Sequence, residues 1–192
     1  MVIALLAVGG VYLSINQDTS NSTNKDNLES QTNQNNNDSN ILIAYYSYTG
    51  NTEAMAKEIQ NQVGGDLFQI ERAKEYDDLY TEAKEEIDNN QRPELANNGE
   101  NIEDYDVIFI GYPIWWDTTP AMINTFLESI DLTNKTIIPF CTSSSDSIDN
   151  SLNSIKVSAK NATILDGLRL SGSSSNNSEE IKNWLDDLGI FK

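Results

Sequence analysis

Ile41-Leu42-Ile43-Ala44-Tyr45-Tyr46, running directly into Ser47-Tyr48-Thr49-Gly50-Asn51-Thr52, is the stretch on which the fold turns. A continuous apolar run of this length predicts a strand covered on both faces, as in a parallel sheet. The polar or small residues that follow, interrupted only by Tyr48, lead into a helical pattern from Thr52 to Val63. Hydroxyls at Ser47, Thr49 and Thr52, beside a glycine that lets backbone amides turn inward, predict an anion cradle. The helix adds its orphan first-turn N–H groups and the positive end of its dipole. The loop contains no Lys or Arg and lacks the spacing G-x-x-x-x-G-K-[ST], so a nucleoside triphosphate with Mg²⁺ is disfavoured. A small phosphomonoester held by neutral donors is the expected ligand. The plainer alternative is a capped turn, which also favours Ser, Thr, Asn and Gly but needs fewer of them.

Strand and helix patterns alternate from there. Strands are expected over 41–46, 67–71, 107–112, 136–141 and 163–165, and helices over 52–63, 77–89, 120–129, 147–160 and 178–188. Short connections between alternating elements predict a doubly wound, three-layer α/β/α domain over residues 41–192. Ligands of such sheets bind outside the carboxyl ends of the strands, where the winding reverses. The acidic run Asp77, Asp78, Glu82, Glu85 and Glu86, with Lys74 and Lys84 among it, is expected to form a solvated helix face.

Two further loops follow apolar runs: Gly111-Tyr112-Pro113-Ile114-Trp115-Trp116, and Pro139-Phe140-Cys141-Thr142-Ser143 continuing through Ser144-Ser145-Asp146-Ser147. With Ser47 to Thr52 they form three loops in order, each at the end of a strand, and this series resembles the cofactor loops of the flavodoxin family. The resemblance implies a flavodoxin-like five-stranded parallel sheet of order 2-1-3-4-5 and FMN as cofactor. It also implies cofactor contacts from Ser47, Tyr48, Thr49, Gly50, Asn51 and Thr52, from Pro113, Ile114, Trp115 and Trp116, and from Thr142, Ser143, Ser144, Ser145 and Asp146. One of the two indoles is expected to stack on the isoalloxazine while the other packs inward, with Tyr48 competing for the opposite ring face. The third loop departs from the family's glycine-rich pattern, T-S-G-G-S-G. Where glycine amides approach the flavin's pyrimidine edge, this chain has hydroxyls and the carboxylate of Asp146, or else a polar surface loop.

Composition excludes whole classes of chemistry. With no histidine, Ser-His-Asp and Cys-His catalysis and His-ligated metals are impossible within the chain. The single cysteine, Cys141, rules out an internal disulfide and closes an apolar strand, where a buried packing thiol is expected. Net charge is −18; four acids and one base fall in residues 1–40, which leaves −15 on the rest. Such a field repels nucleic acid and anionic membrane surfaces, and it speeds encounter with basic patches on redox partner proteins.

Residues 1–15 form an apolar run read as an uncleaved membrane anchor, or alternatively a cleaved signal peptide. As a helix it would span about 22 Å against a hydrocarbon core of about 30 Å. Residues 16–40 read as a disordered linker, with Asn, Gln, Ser or Thr at 19 of 25 positions and Leu28 alone apolar. The expectation is a domain on the extracytoplasmic face that meets the membrane only through the N-terminal segment, the alternative being a cytoplasmic protein. Three functions remain open: an FMN-binding, low-potential electron carrier without catalytic acid–base residues, an FMN-dependent NAD(P)H quinone or azo-type reductase, and a flavin-less interaction module.

Overall fold

The structure is a computed structural model that describes residues 40–172 and 177–189. The anchor and linker assignments lie outside the described residues, apart from Asn40. Eleven elements alternate: β1 (Ile41–Tyr45), α1 (Asn51–Val63), β2 (Asp66–Gln69), α2 (Leu79–Asp88), β3 (Val107–Pro113), α3 (Ala121–Glu128), β4 (Thr136–Thr142), α4 (Ile148–Ser158), β5 (Thr163–Ile164), β6 (Leu168–Leu170) and α5 (Ser178–Leu188), with a 3-10 turn at Ile102–Asp104 before β3. All strand pairs are parallel, in the order β2-β1-β3-β4-β5, and β6 also pairs with β4.

Side-chain alternation along the central strands feeds two cores. Leu42, Ala44, Ile108, Ile110, Tyr112 and Cys141 face one layer with Met122 and Phe126 of α3 and Ile155 of α4. Ile43, Tyr45, Phe109, Ile138 and Phe140 face the other, with Met55 and Ile59 of α1 and Ile181, Trp184 and Leu185 of α5. Burial on both faces explains why these strands read as continuous apolar runs rather than alternating ones.

The expected fifth strand is two strands. β5 pairs Thr163 and Ile164 with Thr136 and Ile137, and β6 pairs Leu168 to Leu170 with Phe140 to Thr142. Two residues of β4 therefore oppose three, Leu165 to Gly167, which makes a one-residue bulge. Pro139 accounts for its position. Thr163 and Leu165 donate to the carbonyls of Lys135 and Ile137, so odd-numbered residues of β4 face the fifth-strand position, and there Pro139 has no N–H to give. Gly167 fits the gap because a Cβ there would lie 2.6 Å from Ile148 Cδ1 and 2.8 Å from the Pro139 carbonyl.

Helix α2 begins two residues later than its acidic pattern implies, because Asp78 caps it: the Asp78 carboxylate accepts from Thr81 N–H, while Glu82 accepts from the backbone of Asp77 and Asp78. Its acidic face is not wholly solvated either. Glu86 is 4% exposed, and the reason lies at the site.

Candidate functional site

The carboxyl ends of β1, β3 and β4 lie side by side. β1 is flanked by β2 and β3, which places the reversal of winding between β1 and β3. Beyond β1 the chain turns through Gly50, at φ +86°, which serves as N-cap of α1 and supplies no side-chain hydrogen bond. A non-glycine residue would be strained there. The first-turn amides of α1 are thus left without a side-chain cap from their own chain end, at the positive end of a 13-residue helix.

Around that helix end, Ser47 Oγ is buried with no hydrogen-bond partner. Thr52 is 1% exposed, and its hydroxyl lies 2.9 Å from that of Thr142 at the end of β4, which ties the first loop to the third. Asn51 donates to Thr49 Oγ1 at 3.1 Å. The return from β6 passes close by, since a Cβ on Gly172 would lie 2.7 Å from Asn51 Nδ2. A cleft of about 490 Å³ lined by Tyr46, Ser47, Tyr48, Arg72 and Tyr76 opens on the Ser47 side of the loop, and a separate one of about 410 Å³ runs along α1 past Asn51, Met55, Leu170 and Ile181. A buried hydroxyl without an acceptor, uncapped amides and a left-handed glycine are what a phosphate group would complete.

The loop after β3 is a tight hairpin. Trp115 and Thr118 exchange both backbone hydrogen bonds at 3.0 Å, and the two residues between them, Trp116 (φ 45°) and Asp117 (φ 63°), are both left-handed, as a type I′ turn demands. Asp117 is among the residues such a turn takes readily, but a tryptophan is not, so the surroundings hold Trp116 in this conformation. The Asp117 carboxylate accepts from Asn150 Nδ2 of α4, and the Trp116 ring sits 5.2 Å from that of Tyr80. Pro113 and Ile114 continue β3 beside Thr142, with Ile114 N–H donating to the Thr142 carbonyl.

Both indoles are half-buried. Trp115 is edge-on to Tyr46, Tyr48 and Tyr76, at centroid distances of 5.5, 6.3 and 6.2 Å, while Tyr48 itself is 58% exposed. Tyr76 donates to Glu86 at 2.8 Å, and Arg72 pairs with the same carboxylate at 2.9 Å. These contacts explain the burial of Glu86 and correct its reading as part of a solvated face.

In the third loop, Ser143 Oγ accepts from the backbone of Ser145 and Asp146, and the Asp146 carboxylate accepts from the hydroxyls of Ser143 and Ser145. Ser144 is exposed. The Asp146 charge is thus solvated by its own loop. Cys141 is buried, which pushes its thiol up to about 12 against the opposing pull of Arg169; it is a packing residue.

The structure gathers the three expected loops at one end of the sheet. Sequence reasoning passed over Tyr46, Arg72, Tyr76, the Asp117–Asn150 contact and Gly172, all of which join segments far apart in the chain. A tyrosine at the end of β1 beside a tyrosine-bearing loop was the only signal on offer for the first group. Among the described residues no group of His, Cys, Asp and Glu is placed to hold a metal. The arrangement sets hydroxyl and amide donors at the start of α1 beside a cluster of aromatic rings around Trp115.

Comparison with known proteins follows the same lines. A profile of the family described as Flavodoxin matches residues 40–188. A flavodoxin from Haemophilus influenzae is 34% identical over 101 residues, which are 50% of this chain and 46% of that protein, so the matched stretch spans about half the length of this curated relative. A crystal structure from Bacteroides eggerthii, classed as a flavoprotein, superposes with a TM-score of 0.71 at 38% identity and covers 79% of this chain and 98% of its own. A flavoprotein from Lactobacillus acidophilus in complex with FMN shares the fold, with a TM-score of 0.64 at 23% identity over 77% of this chain and 99% of its own. With the profile running from the first described residue to the end of α5 and the sheet order to match, the chain belongs to the flavodoxin family.

Proposed function

We propose that the chain is an electron carrier that binds FMN across the three loops and passes electrons between larger redox proteins. The buried, partnerless Ser47 hydroxyl at the uncapped start of α1 carries the reading. A hydroxyl in that state is costly unless a ligand completes it, and a phosphate accepts from hydroxyls and amides alike. Ser47, Thr49 and Thr52, with the amides that follow Gly50, hold the phosphate. Asn51 braces Thr49. Tyr48, Pro113, Ile114, Trp115 and Trp116 shape the apolar side of the ring site, and Thr142 to Asp146 form its polar edge.

FMN supplies the one- and two-electron chemistry; the chain sets where the ring sits and how charge around it is balanced. The domain's acidity suits partners with basic docking surfaces and disfavours nucleic acid. The N-terminal apolar run and linker would hold the domain at a membrane, on its extracytoplasmic face; among the described residues no helix is long and apolar enough to cross one.

The test is equilibrium binding of FMN and riboflavin to purified protein, together with turnover of NADH or NADPH with a quinone. Yellow protein with much tighter binding of FMN than riboflavin and no turnover is the expected result. Equal affinities overturn the phosphate assignment. Rapid turnover shows a reductase, and colourless protein that takes up no FMN shows an interaction module.

A further inference from the structure

Three tyrosines surround Trp115, but they differ in what their phenols face. Tyr76 Oη donates to Glu86 Oε2 at 2.8 Å, within direct proton-transfer reach. Among the described residues no carboxylate accepts from Tyr46 or Tyr48. Tyr105 does donate to one, Asp66, but both lie at the amino end of the sheet, away from Trp115.

Glu86 is fixed for the task. Arg72 Nε and Nη2 hold its other oxygen, each at 2.9 Å, and Glu82 stands 3.5 Å from the same guanidinium. That guanidinium also lies over the Tyr76 ring, 4.4 Å from its centroid. A second positive charge on the ring beneath it would be strongly repelled, so Tyr76 can lose an electron only if it sheds its proton. Burial and the bond to Glu86 keep the phenol protonated well beyond the ordinary tyrosine range.

We infer that Tyr76 and Glu86 act as a proton-coupled electron donor to Trp115, a trap that returns an oxidised indole to its neutral state. An electron passes from the Tyr76 ring to the Trp115 radical cation while the phenolic proton passes from Tyr76 Oη to Glu86 Oε2. The products are a neutral indole, a neutral tyrosyl radical and a protonated Glu86, so charge and atoms balance. Glu82 keeps Arg72 partnered while Glu86 holds the proton. The oxidant that opens the sequence is a photoexcited isoalloxazine, and that assignment alone rests on the FMN reading. The transfer from Tyr76 to Trp115 does not depend on it. Return of an electron to the tyrosyl radical, with the proton from Glu86, restores the resting state and spares the indole beside the ring site from irreversible oxidation.

Pulse radiolysis with azide radicals, which take electrons from indoles, tests the transfer in the full chain without flavin, carrying Tyr80→Phe throughout so that the tyrosine against Trp116 cannot supply the electron. At a pH low enough to keep the indole radical protonated, the absorption of the indole radical cation should decay into tyrosyl absorption, more slowly in heavy water. Tyr76→Phe should abolish the fast conversion, whereas Tyr46→Phe and Tyr48→Phe should leave it intact. Glu86→Gln keeps a hydrogen-bond acceptor but removes the base, and should slow the conversion sharply. Circular dichroism confirms that each variant is folded. An unchanged conversion in Tyr76→Phe, or its loss in Tyr46→Phe, overturns the inference. An unchanged rate in Glu86→Gln overturns the role given to the carboxylate.

Discussion

Replacing Ser47 with alanine should change the apo and flavin-bound proteins in opposite directions. Ser47 Oγ is out of contact with water and has no partner. A polar group left in that condition costs a folded protein about 1–3 kcal/mol. Alanine removes the hydroxyl, breaks no hydrogen bond and leaves a space of one oxygen atom. Apo Ser47→Ala should therefore be more stable by about 1 kcal/mol, or about 2–4 °C in Tm for a domain of this size. With FMN present the sign reverses. A hydroxyl donating to a phosphate makes a charge-assisted bond worth about 1.5–3 kcal/mol, and its loss should raise Kd for FMN about tenfold to about a hundredfold. Riboflavin lacks the phosphate, so its affinity should not move. Thermal unfolding of the apo protein and fluorescence titration with both ligands supply the three numbers. A loss of apo stability, or an equal weakening of FMN and riboflavin, would refute the claim that this hydroxyl waits for a phosphate.

Other consequences are open to direct measurement. Asp146→Asn should make the second electron of flavin reduction easier to add, raising that potential by on the order of tens of millivolts, because its carboxylate is already solvated by Ser143 and Ser145; redox titration with no rise would place Asp146 away from the ring. Gly167→Ala forces a Cβ to 2.8 Å from the Pro139 carbonyl and should cost about 1–3 kcal/mol in urea unfolding. A neutral cost would mean that the bulge shifts freely. Cys141 has a folded pKa of about 12 against an ordinary 9.0, so its contribution is fully present below about 9 and is lost as pH rises towards 12. Unfolding free energy should fall over that window, and less steeply in Cys141→Ala; an identical slope would assign the alkaline loss to the buried tyrosines alone.

How much of this could be read from the sequence depended on the range of the interaction. β1, β3 and β4 were legible because burial on both faces writes itself as an unbroken apolar run, and the turn from β1 into α1 because its residues are contiguous. The split of the fifth strand was not, since Thr163–Ile164 and Leu168–Leu170 are too brief to show a period and the cause, Pro139, sits in the neighbouring strand. Glu86 was misread because its partners, Arg72 and Tyr76, precede the helix that carries it and reach it only after folding. The Trp116–Asp117 turn was hidden for another reason: a left-handed tryptophan lacks the usual turn chemistry, and the contacts that hold the pair, to Tyr80 and Asn150, are distant in the chain.

The bulge opposite Pro139 also bears on how this protein lives with its neighbours. A sheet's outer strand presents a row of N–H and C=O groups to which another chain can add itself. Here that row is cut into lengths of two and three residues, stepped out of register by Leu165 to Gly167. An incoming strand would meet no stretch long enough to template a ladder. The interruption that costs the sheet part of its own hydrogen bonding therefore disfavours strand addition along this flank when two copies meet.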